Sequence, residues 1–99
     1  APEQVRVLPI SEKFMEYAES ISAQLADRKV RVTMDRTSDK IGAKIRNARL
    51  DRVPYMLIIG QKEAEEATVS IRHRDQDDLG SQAVADFINS LTTEISERR

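Results

Sequence analysis

Ninety-nine residues, 39% hydrophobic and 33% charged with both signs mixed, describe one folded domain with room for a single core, not a disordered chain. The absence of cysteine excludes a disulfide framework and a thiolate metal site, and no apolar run reaches membrane-spanning length. The net charge of −1 hides segregation: residues 28–52 carry nine basic against three acidic side chains, while 1–27 and 61–99 are acidic, at net −3 and −4. A basic middle between acidic flanks is a local footprint for an anionic partner, or else a solvated helix face.

The chain opens without a signal peptide and is strand-like by Val5, which reads as a piece cut at a domain boundary. Val5-Arg6-Val7-Leu8-Pro9-Ile10 is a β-rich run closed by Pro9, which has no N–H for a ladder. Ser11 is a predicted N-cap, and Phe14, Ala18, Ile21 and Leu25 form one apolar helix stripe. Val30, Val32 and Met34 alternate with Arg31 and Thr33, the period of a strand with one polar face. A second helix follows, capped by Ser38 or Asp39, with Ile41, Ile45 and Ala48 as its buried stripe. Lys40 and Lys44 flank that stripe, Arg46 and Arg49 point outward, and Gly42 admits close backbone approach.

Pro54 closes this helix and opens Tyr55-Met56-Leu57-Ile58-Ile59, an unbroken apolar run expected of a strand covered on both faces. Gly60 ends it, and 61–67 reads as a polar, acidic connection. Val69, Ile71 and His73 alternate with Thr68, Ser70, Arg72 and Arg74, a fourth strand. Residues 75–80 read as a charged loop, with Ser81 capping a last helix whose stripe is Val84, Phe87, Ile88, Leu91 and Ile95. The order β-α-β-α-β-β-α implies a mixed, mostly parallel sheet of four to five strands flanked by three helices. If strand one lies between two and three, the first two helices fall on opposite faces of the sheet, and strand four is expected antiparallel to three.

No catalytic constellation is present. There is no glycine-rich phosphate loop, no nucleophile elbow and no His/Cys/Asp ligand spacing. His73 shares a strand face with Val69 and Ile71 and reads as a packed or strand-end histidine. Asp75, Asp77 and Asp78 lack EF-hand spacing and read as loop carboxylates. What remains is binding chemistry. Arginine forks match phosphates and base edges, so Arg72 and Arg74 can donate to base carbonyl oxygens, while Glu63 can accept from guanine N–H groups. The alternative for each is a solvated ion pair. A protein-interaction α/β domain with no RNA role stays open on this reasoning.

Several segments together resemble the C-terminal domain of threonyl-tRNA synthetases: Ala1-Pro2-Glu3-Gln4-Val5, Lys40-Ile41-Gly42-Ala43-Lys44-Ile45-Arg46, Val53 through Glu63, Val69-Ser70-Ile71-Arg72-His73-Arg74 and Asp78-Leu79-Gly80-Ser81. The resemblance spans nearly the whole chain. Related class II synthetases share the helix and the Pro-Tyr-Met strand more weakly, and a domain of one of these, or a stand-alone paralogue, is the nearest alternative. The resemblance implies an anticodon-binding domain over residues 1–99, of the class II synthetase fold, with no catalytic site of its own. It implies Glu63 and Arg72 as readers of the second and third anticodon bases, G and U, and Arg46 and Arg52 as further loop contacts. Ser38 stands where many members carry Asn, and a hydroxyl there replaces an amide. Lys40 and Lys44 are expected on backbone phosphates from their charge alone.

The resemblance further implies threonine tRNA and the catalytic domain of the same chain as partners, a cytoplasmic homodimeric ligase, and a monomeric isolated domain. ATP, Mg²⁺ and Zn²⁺ are expected in the catalytic domain, with no cofactor in these residues. One geometric condition accompanies this. Arg52 and Arg72 fall at one end of strands three and four and Glu63 at the other, more than ~10 Å apart at ~3.3 Å per residue. Both reach one splayed anticodon only if 61–67 folds back over the sheet.

Overall fold

A computed structural model describes residues 3–97. In chain order it contains β1 (Val5–Pro9), α1 (Met15–Asp27), β2 (Val32–Met34), α2 (Ile41–Leu50), β3 (Tyr55–Ile59), α3 (Gln61–Glu66), β4 (Thr68–His73), β5 (Asp77–Ala83) and α4 (Val84–Glu97). The strands form one sheet ordered β2-β1-β3-β4-β5. Strand one lies between two and three, which puts α1 and α2 on opposite faces, and β4 runs antiparallel to β3 as expected. The pairings divide evenly, two parallel and two antiparallel, because β5 adds an antiparallel pair that the apolar pattern did not announce.

Alternation along the strands sorts the side chains onto two faces. Val5, Val7, Leu57, Ile59, Val69 and Ile71 pack against Ala18, Ile21 and Leu25 of α1 and Phe87, Ile88 and Leu91 of α4. Tyr17 ties α1 to the sheet through its hydroxyl, which donates to the Thr68 carbonyl at 2.8 Å. The opposite face is smaller: Leu8 and Met56 meet Ala48 of α2, with Ile41, Ile45 and Ile58 against them. One helix covers this side, where two cover the other.

Three expectations of secondary structure are corrected. The 61–67 connection is mostly helix, α3, whose start is fixed by Glu63: its Oε1 accepts from the Gly60 N–H at 2.7 Å. The 75–80 loop and Ser81 belong largely to β5, so α4 starts at Val84 instead of being capped by Ser81. Neither Ser38 nor Asp39 caps α2; Lys40 holds that place with no side-chain bond. Ser11 is an N-cap as expected, here of a 3₁₀ turn (Glu12–Phe14) from which α1 continues at Met15.

Lys44 is a fourth correction, and it has a consequence for function. It is 2% exposed, and its Nζ donates to the Pro9 carbonyl at 2.9 Å. Its place is one turn beyond Ile41 and beside Ile45, inside the buried stripe. The ammonium satisfies a carbonyl at the end of β1 and is closed to a phosphate.

Candidate nucleic-acid interface

α2 lies over β1 and β3 and leaves a groove on each flank. On the β2 side the charges are mutually satisfied. Arg6 donates to Glu3 at 2.8 Å through both Nε and Nη2, and its Nη2 also meets Asp51 at 3.0 Å. Thr33 donates its hydroxyl to Glu3. The Arg6 hydrogen bonds hold the Glu3 carboxyl below the usual carboxylate range despite partial burial. The same pairing raises Arg6 further above its already high value. Burial pushes the Asp35 carboxyl up, but hydrogen bonds from Thr37, with Lys44 and Arg6 nearby, outweigh it and leave Asp35 lowered.

The β4 flank is different. Gly42, Ile45, Arg46, Arg49, Leu50 and Arg72 line a groove of about 430 Å³. Arg46 and Arg49 are three residues apart on α2, which makes them neighbours on its surface. Arg72 reaches the groove from β4, where it stands opposite Met56 and so shares the α2 face of the sheet. Across from it on β5 the register slips, with Ile71 paired to Gly80 and Arg72 to Asp78. This bulge, with Gly80 at φ +85°, re-aims the strand locally at Arg72. An added Cβ at Gly42 would meet nothing within 4 Å, so among the described residues none makes the close approach that a helix glycine permits.

A second groove adjoins the first, lined by Arg49, Arg52, Arg74 and Asp75. Arg52 follows α2 in the left-handed region, φ 59°, a position where helix ends favour glycine. Arg74 Nη1 donates to the Arg52 carbonyl at 3.0 Å, and Arg74 Nε meets Asp75 at 3.4 Å. Arg49 is ion-paired to Asp77. Five arginines from α2, the turn after it, β4 and the turn that follows β4 thus gather on one side, accompanied by Asp75 and Asp77.

Among the expected site residues, Arg46 and Arg72 come together, with Arg52 and Arg74 beside them. Lys40 and Ser38 are exposed before α2. Glu63 stands apart. It follows the C-terminal end of β3, whereas Arg72 is level with the strand's second residue. From Met56 to Gly60 is four residues, ~13 Å at ~3.3 Å each. The segment 61–66 does not fold back as a loop; it is a helix, and Glu63 is near enough to Tyr17 for its charge to add to burial in raising that phenol's pKa. Arg49, outward by helix periodicity, shares their groove, as its three-residue spacing from Arg46 signals. His73 is half-buried edge-on to Tyr55, with ring centroids 4.9 Å apart, a packed strand-end histidine. Among the described residues no three His, Cys, Asp or Glu side chains are grouped to hold a metal ion, and no helix is long and apolar enough to cross a membrane.

Comparison with known proteins adds three findings. The model of the family described as "Anticodon binding domain" matches residues 4–94. A threonine–tRNA ligase of Clostridioides difficile (strain 630) is 48% identical over 98 residues, 99% of this chain and 15% of that protein. The chain thus spans about 15% of the length of the curated relatives it matches. The crystal structure of the RNA-binding domain of threonyl-tRNA synthetase from Cryptosporidium parvum Iowa II superposes with a TM-score of 0.88 at 35% identity, covering 94% of this chain and 24% of that one. Histidyl-tRNA synthetase from Nostoc sp. PCC 7120 shares the fold, with a TM-score of 0.87 at 21% identity over 96% of this chain and 23% of that one.

Proposed function

The chain belongs to the anticodon-binding domain family, and from that premise we propose that it is the tRNA-reading module of a threonine–tRNA ligase, recognising the second and third anticodon bases, G and U, of threonine tRNA. The observation that carries this reading is the arginine groove beside α2, where Arg46 and Arg49 of the helix meet Arg72 of the sheet. Single-stranded RNA loops are read there by splayed bases that accept from guanidinium forks, while neighbouring arginines hold phosphates.

Arg72 is the reader in the groove, with Arg46 beside it. Arg52 and Arg74 continue the contact toward the turn after α2. Glu63 reads at the far end of β3, through the carboxylate oxygen that is not bonded to Gly60. Because 61–66 is a helix and does not fold back, this reading requires the two bases to splay along β3 so that Arg72 and Glu63 each meet a different one. Lys40 and Ser38, exposed before α2, supply a phosphate contact and a hydroxyl.

The ligation itself belongs to the remainder of the parent protein. There threonine, ATP and Mg²⁺ would meet, with Zn²⁺ in the catalytic domain; the residues described here offer no set of ligands for it. The parent would be a cytoplasmic homodimer and this domain a monomer when separate.

The test is binding of the chain to a threonine-type anticodon stem-loop and to one with the second and third anticodon bases changed, at two salt concentrations. A preference for the first is expected, and Arg72→Ala and Glu63→Ala should each reduce it by roughly 1–3 kcal/mol. Equal binding of both loops that disappears with salt would reduce the arginines to a phosphate patch.

A further inference from the structure

Arg49 is the shared wall of the two basic grooves, lining the first with Arg46 and Arg72 and the second with Arg52 and Arg74. A strand of nucleic acid that touches both grooves has to pass it. Its present partner is an anion, the Asp77 carboxylate at the start of β5. Both side chains are open to water, Arg49 at 41% and Asp77 at 72% exposure, so the pair contributes little to stability and is easily exchanged. A phosphate presents the same charge and a matching pair of oxygens to a guanidinium fork.

We propose that Arg49 is an additional RNA contact, which takes a backbone phosphate of the bound loop in exchange for the Asp77 carboxylate. The inference rests on the anticodon-binding reading above. Asp77 is then a competitor for the phosphate, occupying the guanidinium in the free protein and repelling the strand in the bound one. Because phosphates carry no sequence, Arg49 adds affinity without choosing among anticodons.

Binding of the threonine-type stem-loop and of its base-changed counterpart by the unsubstituted chain, Arg49→Gln, Asp77→Asn and the double variant tests this. Arg49→Gln is expected to weaken binding of both loops by the same factor, about fivefold, and to lower the slope of log affinity against log salt by about 0.7. Asp77→Asn should tighten binding about two- to threefold, as removal of a competing anion does at a phosphate contact. That gain should vanish in the Arg49→Gln background. Thermal midpoints should stay within a degree or two of the unsubstituted chain, since surface pairs contribute little. Unchanged binding by Arg49→Gln, or an Asp77→Asn gain that survives without Arg49, overturns the exchange while leaving the anticodon reading intact. An unsubstituted chain with no affinity for either loop overturns both.

Discussion

The two flanks of α2 are built from the same kinds of residue and do opposite things. On the β2 side Arg6 is bracketed by Glu3 and Asp51 and is largely withdrawn from solvent, so its charge is used inside the protein. On the β4 side Arg46, Arg49, Arg52, Arg72 and Arg74 gather around two carboxylates, and four of the five are exposed. The difference shows that the excess of basic residues in 28–52 is a poor guide to position by itself. Arg6, from an acidic stretch, and Lys44, from the basic one, both serve the fold, while Arg72 and Arg74 come from the acidic C-terminal part.

The sharpest way to break the comparison is to truncate the same residue type on each side. Arg72→Ala should lower affinity for the threonine-type stem-loop by roughly 1–3 kcal/mol, as for a base-edge contact. Its denaturation midpoint should barely move; a large loss of stability would place Arg72 with Arg6 as a structural residue. Arg6→Ala should do the reverse, costing about 1–2 kcal/mol of stability by leaving a partly buried Glu3 without its charged partner. RNA affinity measured on the folded fraction should be unchanged.

Acid titration sharpens the contrast. The folded pKa of Glu3 is lowered, so its contribution to stability is present above the usual carboxylate range and is lost as pH falls through the folded value. Urea midpoints should therefore drop on acidification, and Glu3→Gln should flatten that drop by at most about 1 kcal/mol. An unaltered profile in the variant would show that other carboxylates set it. The smallest effect is expected at Gly42. Gly42→Ala has room for its Cβ and should raise helix stability by about 0.5 kcal/mol, read as a higher thermal midpoint.

How legible this was varies by element, for physical reasons. The α1 and α4 stripes and the alternation of β2 and β4 were visible because each buries one face, and burial writes a period into the residues. β5 wrote none. Six of its seven residues are exposed, so backbone pairing with β4 holds it. α3 was hidden because it buries no residue; its one signal was Glu63 three places after Gly60, the spacing of a capping carboxylate. Lys44 is hard to place from sequence although Ile41, Lys44, Ile45 and Ala48 follow the buried spacing, because lysine is a polar residue and the Pro9 carbonyl that receives it is 35 residues away. At the interface, the gathering of Arg46 with Arg72 depended on the α2 face of the sheet, which the strand order supplied. Arg49 needed the position of Asp77, in the strand that sequence did not reveal.

That strand has one more consequence. β5 ends the sheet, and an unpaired edge is an invitation for a second chain to add itself by the same backbone hydrogen bonds. Charged side chains and a bulge both discourage such growth. β5 has Asp77 and Asp78 at its start and the register slip beside Gly80. At the other edge β2 is only three residues long. The same acidic start that holds Arg49 thus also discourages a second chain from adding to this edge.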